Sequence, residues 1–288
     1  MKKPGILEAV TLLTTIFFFG AMEGGSFFAF FFLYLAPLPL FILGLKKDNS
    51  WCGLVGAVAA VSLFFITTPQ MSIMYLLAIA APTTFFCAKA TSRAGPSLER
   101  WYSLSKLALF LIVPPTFCFV LLTAYFWLYG QGLGFVLIEK TNEIFDLYIS
   151  ALKGQGQNIN PSLSKQLDGV KKSFADTAPA LISIFWMSLI VLNGLIAQSI
   201  LKKSNRNQRP SFAIREIQIP RPFALIFLSS LVLASFSSGE LGYLVTNLTA
   251  ILAFPVMLTG LGVIHTFADK TNYSGSILFV VYLIITFS

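Results

Sequence analysis

Long apolar runs, separated by short polar connections, dominate the pattern of this chain. The runs 27–43 and 178–197 contain no charged residue and do not alternate between apolar and polar positions as barrel strands do. A bilayer accepts only helices and closed barrels, because every backbone polar group there needs a partner within the protein. The pattern therefore predicts an all-α fold, a polytopic integral membrane helix bundle.

Nine segments approach the length of about 20 largely apolar residues that a membrane-spanning helix needs. They are 5–23, 26–45, 51–68, 71–89, 104–129, 178–201, 223–239, 241–267 and 275–288. The last segment is short and ends with the chain. We therefore expect eight or nine transmembrane helices, organised as a single transmembrane domain over 1–288.

The segment 130–177 is the main interruption of this pattern. Apolar positions recur there at helical spacing in two stretches, and the turn residues 154–161 separate them. The first stripe is Leu137, Thr141, Ile144, Tyr148 and Leu152, and the second is Leu163, Leu167, Val170 and Phe174. We expect a pair of amphipathic helices inserted on the external side between spans five and six. Packing on the bundle or the membrane interface is the favoured role, and a lid over a ligand site is the alternative.

Composition and charge support a membrane location. The chain is 56% hydrophobic and only 11% charged, whereas soluble domains carry about 25% charged residues. The net charge of +8 could indicate a nucleic-acid partner, but topology explains it better. With the N-terminus in the cytoplasm, all basic residues outside 130–177 fall on the cytoplasmic side. We predict a multi-pass protein of a bacterial inner membrane, with the lipid bilayer and no nucleic acid as its partner.

The chain lacks the patterns that mark catalytic and metal sites. It contains no P-loop, GxSxG or HExxH motif, its three cysteines have no CxxC spacing, and it has one histidine. We expect no metal, no cofactor and no enzymatic activity. A membrane enzyme remains the third functional alternative.

Five residues at the predicted outer ends of spans are the candidates for a small-molecule pocket. Glu23 and Glu240 lie in tight external turns, and Asn247 lies about two turns into the eighth span. Trp127 and Tyr129 end the fifth span, where aromatic residues usually anchor a helix at the interface. Acids, an amide and aromatic rings on one side of the membrane could bind a small polar molecule.

Other polar residues within the spans are candidates for coupling or for packing. Glu8 lies near the start of the first span, where it either snorkels to the interface or takes part in coupling. His265 and Asp269 are four residues apart and can face each other on a helix, as a stabilising pair or a proton relay. Asn193 and Gln198 are expected to form interhelical hydrogen bonds.

Helix breakers and small residues mark several spans. The prolines within them are Pro37, Pro39, Pro82, Pro114, Pro115 and Pro255. Gly53 with Ala57, and Gly56 with Ala60, form small-xxx-small pairs that allow close helix packing. Kinked and closely packed helices suit a ligand-binding bundle, and they also suit a compact scaffold.

Two stretches carry a family resemblance. One is 33–45, an apolar span with a Pro-Leu-Pro break, followed by Lys46 and Lys47; the other is 247–265, which ends Gly-Leu-Gly-Val-Ile-His. Together with the span layout they resemble the DUF2232, or YybS-like, family of bacterial membrane proteins. That family is similar to the substrate-binding S components of energy-coupling-factor transporters. The resemblance implies a small-molecule ligand and a membrane protein partner. The alternative is a scaffold for envelope or cell-shape assembly, similar to MreD.

Overall fold

A computed structural model describes residues 5–24, 27–47, 49–94, 100–154, 161–210 and 214–287. Helices account for most of these residues, which confirms the predicted all-α class. The first helices are α1 (Ile6–Gly20), α2 (Phe27–Leu35), α3 (Leu38–Lys46), α4 (Asn49–Ile66), α5 (Pro69–Tyr75) and α6 (Ala81–Thr91). The later ones are α7 (Leu104–Leu128), α8 (Leu133–Gly154), α9 (Pro161–Lys203), α10 (Arg221–Phe236), α11 (Gly239–Ala268) and α12 (Ser274–Phe287).

Shorter elements connect some of these helices. A π-helix, Leu76–Ala80, joins α5 to α6, and 3-10 turns occur at Ala21–Gly24 and Ile214–Glu216. Between α6 and α7, the two-residue strands β1 (Arg93–Ala94) and β2 (Arg100–Trp101) pair antiparallel.

Six of the helical segments are long and apolar enough to cross a membrane. They are Phe28–Lys46, Asn49–Ile66, Pro69–Thr91, Leu104–Leu128, Gln166–Lys203 and Gly239–Ala268. Three further apolar helices are shorter, namely α1, α10 and α12 with 15, 16 and 14 residues. Each of the nine predicted segments thus corresponds to helical structure, and length and composition qualify six of them as membrane spans.

Local sequence explains where several helices begin. Thr68 caps α5, since its side chain accepts a hydrogen bond from the Met71 backbone N–H, and Pro69 takes the first helical position. Gly239, the first residue of α11, adopts a positive φ of 62° in the short turn that follows α10. The structure describes α8 up to Gly154 and α9 from Pro161 onward, and the predicted turn residues between them lie outside the described residues.

The helix α9 differs from the sequence prediction in two respects. It runs for 43 residues through Pro179, so the second helix of 130–177 and the sixth predicted span are one continuous helix. Its apolar residues Val170 and Phe174, expected on the packed face, are exposed, whereas Lys171 is buried. Lys171 can be buried because it forms an ion pair with Asp146 of α8 and lies over the Phe145 ring.

The chain divides into two compact units. The first comprises Met1–Leu109, Trp186–Ile217 and Leu261–Ser288. Its core is a cluster of buried residues from α1, α3, α4 and α5, packed closely where residues are small. A Cβ added at Gly56 would lie 3.1 Å from the Ala80 Cβ, and one added at Gly44 would lie 2.7 Å from the Cys87 Sγ. The predicted small-residue packing around Gly56 is therefore confirmed.

The second unit comprises Phe110–Phe185 and Gln218–Gly260. In it, the start of α8 packs closely against the start of α11. A Cβ at Gly132 would overlap the Glu240 carboxylate, and one at Gly134 would lie 3.2 Å from the Tyr243 ring. Glycine at both positions allows this approach of the two helix ends.

Candidate functional site

In the first unit, side chains of α9 donate hydrogen bonds where other helices are interrupted. Pro82 has no N–H to offer the Ala78 carbonyl four residues earlier. The Trp186 indole Nε1–H donates to this carbonyl at 2.7 Å. Ala78 lies within the π-helix, a type of irregularity that often occurs at functional sites.

Asn193 contacts a second interruption, the break between α2 and α3. Its Nδ2 donates to the Tyr34 carbonyl at 2.7 Å and to the Leu189 carbonyl of its own helix at 2.8 Å. The predicted interhelical role of Asn193 is thereby confirmed. The side chain is fully buried, and its Oδ1 has no hydrogen-bond partner among the described residues.

Three hydroxyl groups of the first unit are likewise buried without a described hydrogen-bond partner. Thr15 on α1, Tyr75 on α5 and Thr83 on α6 are fully buried, and no described group bonds to their oxygens. The neighbouring Thr84 shows the usual alternative, because its hydroxyl donates to the Ala80 carbonyl at 2.8 Å. A buried hydroxyl without a partner costs about 1–3 kcal/mol, so these atoms together with Asn193 Oδ1 need an explanation.

The chemistry of these four atoms suits a small polar molecule. Hydroxyl groups both donate and accept hydrogen bonds, whereas the Asn193 Oδ1 only accepts. The Tyr75 ring is held edge-to-face against Phe19 at 5.2 Å between centroids, which fixes the position of its hydroxyl. The four side chains come from four different helices of one unit. We define them as the buried polar set: Thr15, Tyr75, Thr83 and Asn193.

The residues that the sequence proposed for a pocket are distributed differently. Glu23 belongs to the first unit, and its side chain lies outside the described part of the structure. Trp127, Tyr129, Glu240 and Asn247 belong to the second unit. Trp127 and Tyr129 are 74% and 72% exposed, as expected of interface anchors.

Glu240 lies beside two helix starts. Its carboxylate packs against Gly132, directly before α8, and Glu240 itself occupies the first turn of α11. A carboxylate is stabilised near a helix N-terminus by the unpaired N–H groups and the helix dipole. This contact explains Glu240 without a ligand.

Asn247 bonds to the backbone of α9 at its internal proline. In a regular helix the Ala180 N–H bonds to the Asp176 carbonyl. Here the Ala180 N–H donates to Asn247 Oδ1 at 3.1 Å, and Asn247 Nδ2 donates to the Asp176 carbonyl at 2.9 Å. The Tyr243 hydroxyl donates at 3.2 Å to the Ala175 carbonyl, which Pro179 leaves without a donor.

The three proposed coupling residues have specific partners in the first unit. Glu8 accepts hydrogen bonds from the Lys47 ammonium and, at 2.9 Å, from the Gly5 backbone N–H. The expected pairing of His265 with Asp269 is not observed among the described contacts. Asp269 instead forms an ion pair of 3.3 Å with Arg215.

His265 is oriented by two contacts. Its Nδ1 lies 2.9 Å from the Leu261 carbonyl, and because a carbonyl oxygen only accepts, Nδ1 carries the proton. Nε2 lies 3.3 Å from the Tyr282 hydroxyl and can accept from it. Both contacts fix the orientation of the ring, which suits a structural role.

Sequence reasoning identified Asn193 but not Tyr75, Thr15 or Thr83. Threonine and tyrosine are common in apolar helices, and the sequence carries no signal of whether a hydroxyl has a partner. The one usable signal was Pro82, which marks a helix interruption close to Thr83. Within the described residues, no group of three or more His, Cys, Asp or Glu side chains could hold a metal ion.

Comparison with known proteins places the chain in a family. Neither the curated proteins nor the solved structures compared with it include a match. A family model described as a predicted membrane protein (DUF2232) matches residues 12–288, nearly the whole chain. This coverage confirms the family resemblance of the sequence, and the chain belongs to the DUF2232 family of membrane proteins.

Proposed function

We propose that this membrane protein binds a small polar solute through the buried polar set and serves transport in the manner of an S component. The observation that carries the proposal is the presence of four fully buried polar atoms without a described partner in one unit. A solute that offers both donors and acceptors would remove the energetic cost of each of these atoms that it contacts. The proposed role is binding and delivery, without catalysis.

The irregular helices of the first unit support this proposal. The π-helix, Pro82 and the break between α2 and α3 all interrupt regular helical hydrogen bonding. In membranes, interrupted helices are tolerated where they are buried in protein or line a cavity. Two of these interruptions already receive hydrogen bonds from α9, through Trp186 and Asn193.

The proposed topology has nine spans with the N-terminus in the cytoplasm of a bacterium, in the inner membrane. It requires α1, α10 and α12 to cross as well as the six longer segments. A helix of 15 residues is about 22 Å long, shorter than a hydrocarbon core of about 30 Å. Local thinning of the bilayer or the residues that flank each helix would make up the difference.

The test is native mass spectrometry of protein gently purified from its own membrane. We expect a retained small molecule in the wild-type protein. Tyr75→Phe and Thr83→Val should each reduce its occupancy by about tenfold, which corresponds to 1.4 kcal/mol for one hydrogen bond. Neither substitution should prevent folding, because each removes a polar atom that has no hydrogen-bond partner among the described residues.

Thr116→Val provides the matched control. Thr116 also has a buried hydroxyl without a described partner, but it belongs to the second unit. Occupancy that survives Thr116→Val and decreases in the other two variants supports the proposal. Equal occupancy in all variants, or a wild-type protein without any small molecule, contradicts it.

A scaffold for envelope assembly is the second candidate, and a specific surface favours it. Ile144, Leu147 and Tyr148 on α8 are 64%, 73% and 56% exposed, and Val170 and Phe174 on α9 are exposed too. Exposed apolar groups of this size often mark contact surfaces. A stoichiometric protein partner that is lost in Leu147→Lys, together with the absence of a solute, would favour the scaffold.

A further inference from the structure

Two aromatic rings between α6 and α7 are each shared by two cations. The Arg93 and Arg209 Cζ atoms lie 5.0 and 5.9 Å from the Trp101 ring centroid. The Lys89 and Lys106 Nζ atoms lie 5.6 and 5.9 Å from the centroid of the adjacent Tyr102 ring. We call these six residues the cation–aromatic cluster. All of them belong to the first unit.

The backbone positions this cluster. The β1–β2 pairing sets Arg93 opposite Trp101. Arg209 is only 8% exposed, and its Nη1 donates to the Ala90 carbonyl at 3.2 Å. The Arg209 carbonyl in turn accepts from the Gln198 Nε2 at 2.9 Å. Strand pairing and hydrogen bonds to backbone carbonyls therefore bring the cations together.

Negative charge near the cluster is scarce among the described residues. No described carboxylate lies within 4 Å of Lys89, Arg93 or Lys106. Burial lowers the pKa of Arg209, and the carboxylate of Glu216 opposes that shift. Like charges held at such short range repel one another, and aromatic faces offset only part of this repulsion.

The cluster also lies at the ends of two candidate membrane spans. One candidate span, Pro69–Thr91, ends next to it, and another, Leu104–Leu128, begins next to it. Aromatic residues at the ends of spans mark the depth of the lipid headgroups. An anion available at that depth is the headgroup phosphate of an anionic phospholipid.

We propose that Lys89, Arg93 and Lys106, arranged around Trp101 and Tyr102, bind the headgroup phosphate of an anionic phospholipid. Arginine offers a planar fork for two phosphate oxygens, and lysine contributes a mobile point charge. The exposed Arg93 and Lys106 remain accessible to a lipid, and the half-buried Lys89 adds a third positive charge. The bound anion supplies a counter-charge to Lys89, Arg93 and Lys106. This site is independent of the solute proposed for the buried polar set.

The test measures lipid retention by native mass spectrometry after reconstitution in nanodiscs of phosphatidylcholine with phosphatidylglycerol. The variant is the triple exchange Lys89→Gln, Arg93→Gln and Lys106→Gln. Each basic residue near the surface contributes about 1 kcal/mol to anionic lipid binding, so retention of phosphatidylglycerol should decrease at least tenfold. Phosphatidylcholine retention should not change.

The matched control removes the same charge elsewhere, through Lys202→Gln, Lys203→Gln and Lys270→Gln. These residues also lie at helix ends and are exposed, so the control loses general attraction to lipid but keeps the cluster. A selective decrease in the cluster variant supports the proposal. An equal decrease in both variants, or none in either, overturns it.

Two further measurements cover folding and the identity of the anion. The single variants Arg93→Gln and Lys106→Gln change exposed side chains only, and each should lower retention by severalfold with unchanged thermal unfolding. Unchanged retention in both would contradict the proposal. Release of the lipid by millimolar inorganic phosphate would assign the site to a soluble phosphate compound and overturn the assignment to lipid.

Discussion

Two buried asparagines on different helices differ in how many of their polar atoms form hydrogen bonds. Asn247 in the second unit is 1% exposed, and both its Nδ2 and its Oδ1 bond to protein groups. Asn193 in the first unit is fully buried, and only its Nδ2 is used. Both lie where a neighbouring helix contains or adjoins a proline.

The difference lies in what each side chain leaves unpaired after it has bonded to the backbone of a neighbouring helix. At Pro179, Asn247 and Tyr243 together supply donors and an acceptor to three backbone groups, and no polar atom of Asn247 remains unused. At the break between α2 and α3, Asn193 supplies donors but keeps a buried acceptor. An unused buried acceptor lowers stability, and this cost is the basis of the solute proposed for the buried polar set.

The largest expected effect is that of Asn247→Leu. It removes the partners of the Ala180 N–H and the Asp176 carbonyl and keeps a side chain of similar size. Two buried backbone groups that lose partners should destabilise the protein by about 3 kcal/mol. Chemical unfolding in detergent measures the change.

Thr249→Val on the same helix is the control for Asn247→Leu. Among the described residues, the Thr249 hydroxyl bonds only to the Val245 carbonyl of its own helix, so its loss should cost less than about 1 kcal/mol. Similar effects of the two substitutions would show that Asn247 has no special role at Pro179.

The second prediction concerns the proline itself. Pro179→Ala supplies an N–H for the Ala175 carbonyl and allows regular helical bonding, so Asn247 becomes less important. In the Pro179→Ala background, Asn247→Leu should cost about 2 kcal/mol less than in the wild type, as an interaction energy of a double-mutant cycle. Additive effects would disprove the coupling between the two residues.

A smaller effect is expected for Asn193→Leu. The substitution removes the hydrogen bond to the Tyr34 carbonyl, and it also removes the unpartnered Oδ1. Loss of the first destabilises by about 1–2 kcal/mol, and loss of the second partly offsets this. Unfolding of the solute-free protein should therefore show a cost well below that of Asn247→Leu, and a cost equal to it would contradict the comparison.

The smallest change in stability is expected for Tyr75→Phe. The hydroxyl has no described partner, so the solute-free protein should be unchanged or more stable, within about 1 kcal/mol. Thermal unfolding with and without the retained molecule measures both states. A large destabilisation of the solute-free protein would show that the hydroxyl has a structural partner.

The helices of this fold could be predicted because apolar run length is a strong local signal. The nine predicted segments correspond to helical structure. The continuity of α9 could not be predicted, because Pro179 normally argues for an end or a kink. It depends on hydrogen bonds from Tyr243 and Asn247, more than 60 residues later in the chain.

The candidate site was harder to predict for a related reason. Charge and aromatic character at span ends made Glu240, Trp127 and Tyr129 the candidates. The Glu240 carboxylate packs against Gly132, and the two aromatic side chains are exposed. The buried polar set consists of common residue types, and they are unusual only because one polar atom of each has no described hydrogen-bond partner. Packing between helices decides this property, and the sequence of each helix alone does not contain it.

The dependence of α9 on α11 also sets an order in biosynthesis. Asn247 follows Ala180 by 67 residues, which at about 5–20 residues per second takes roughly 3–13 seconds to translate. Until residues 243–247 are made, the Ala175 carbonyl, which Pro179 leaves without a helical donor, lacks the Tyr243 hydroxyl that bonds to it in the folded protein. A nascent chain that stalls before residue 243 therefore carries an incompletely bonded helix, and quality control can recognise it there.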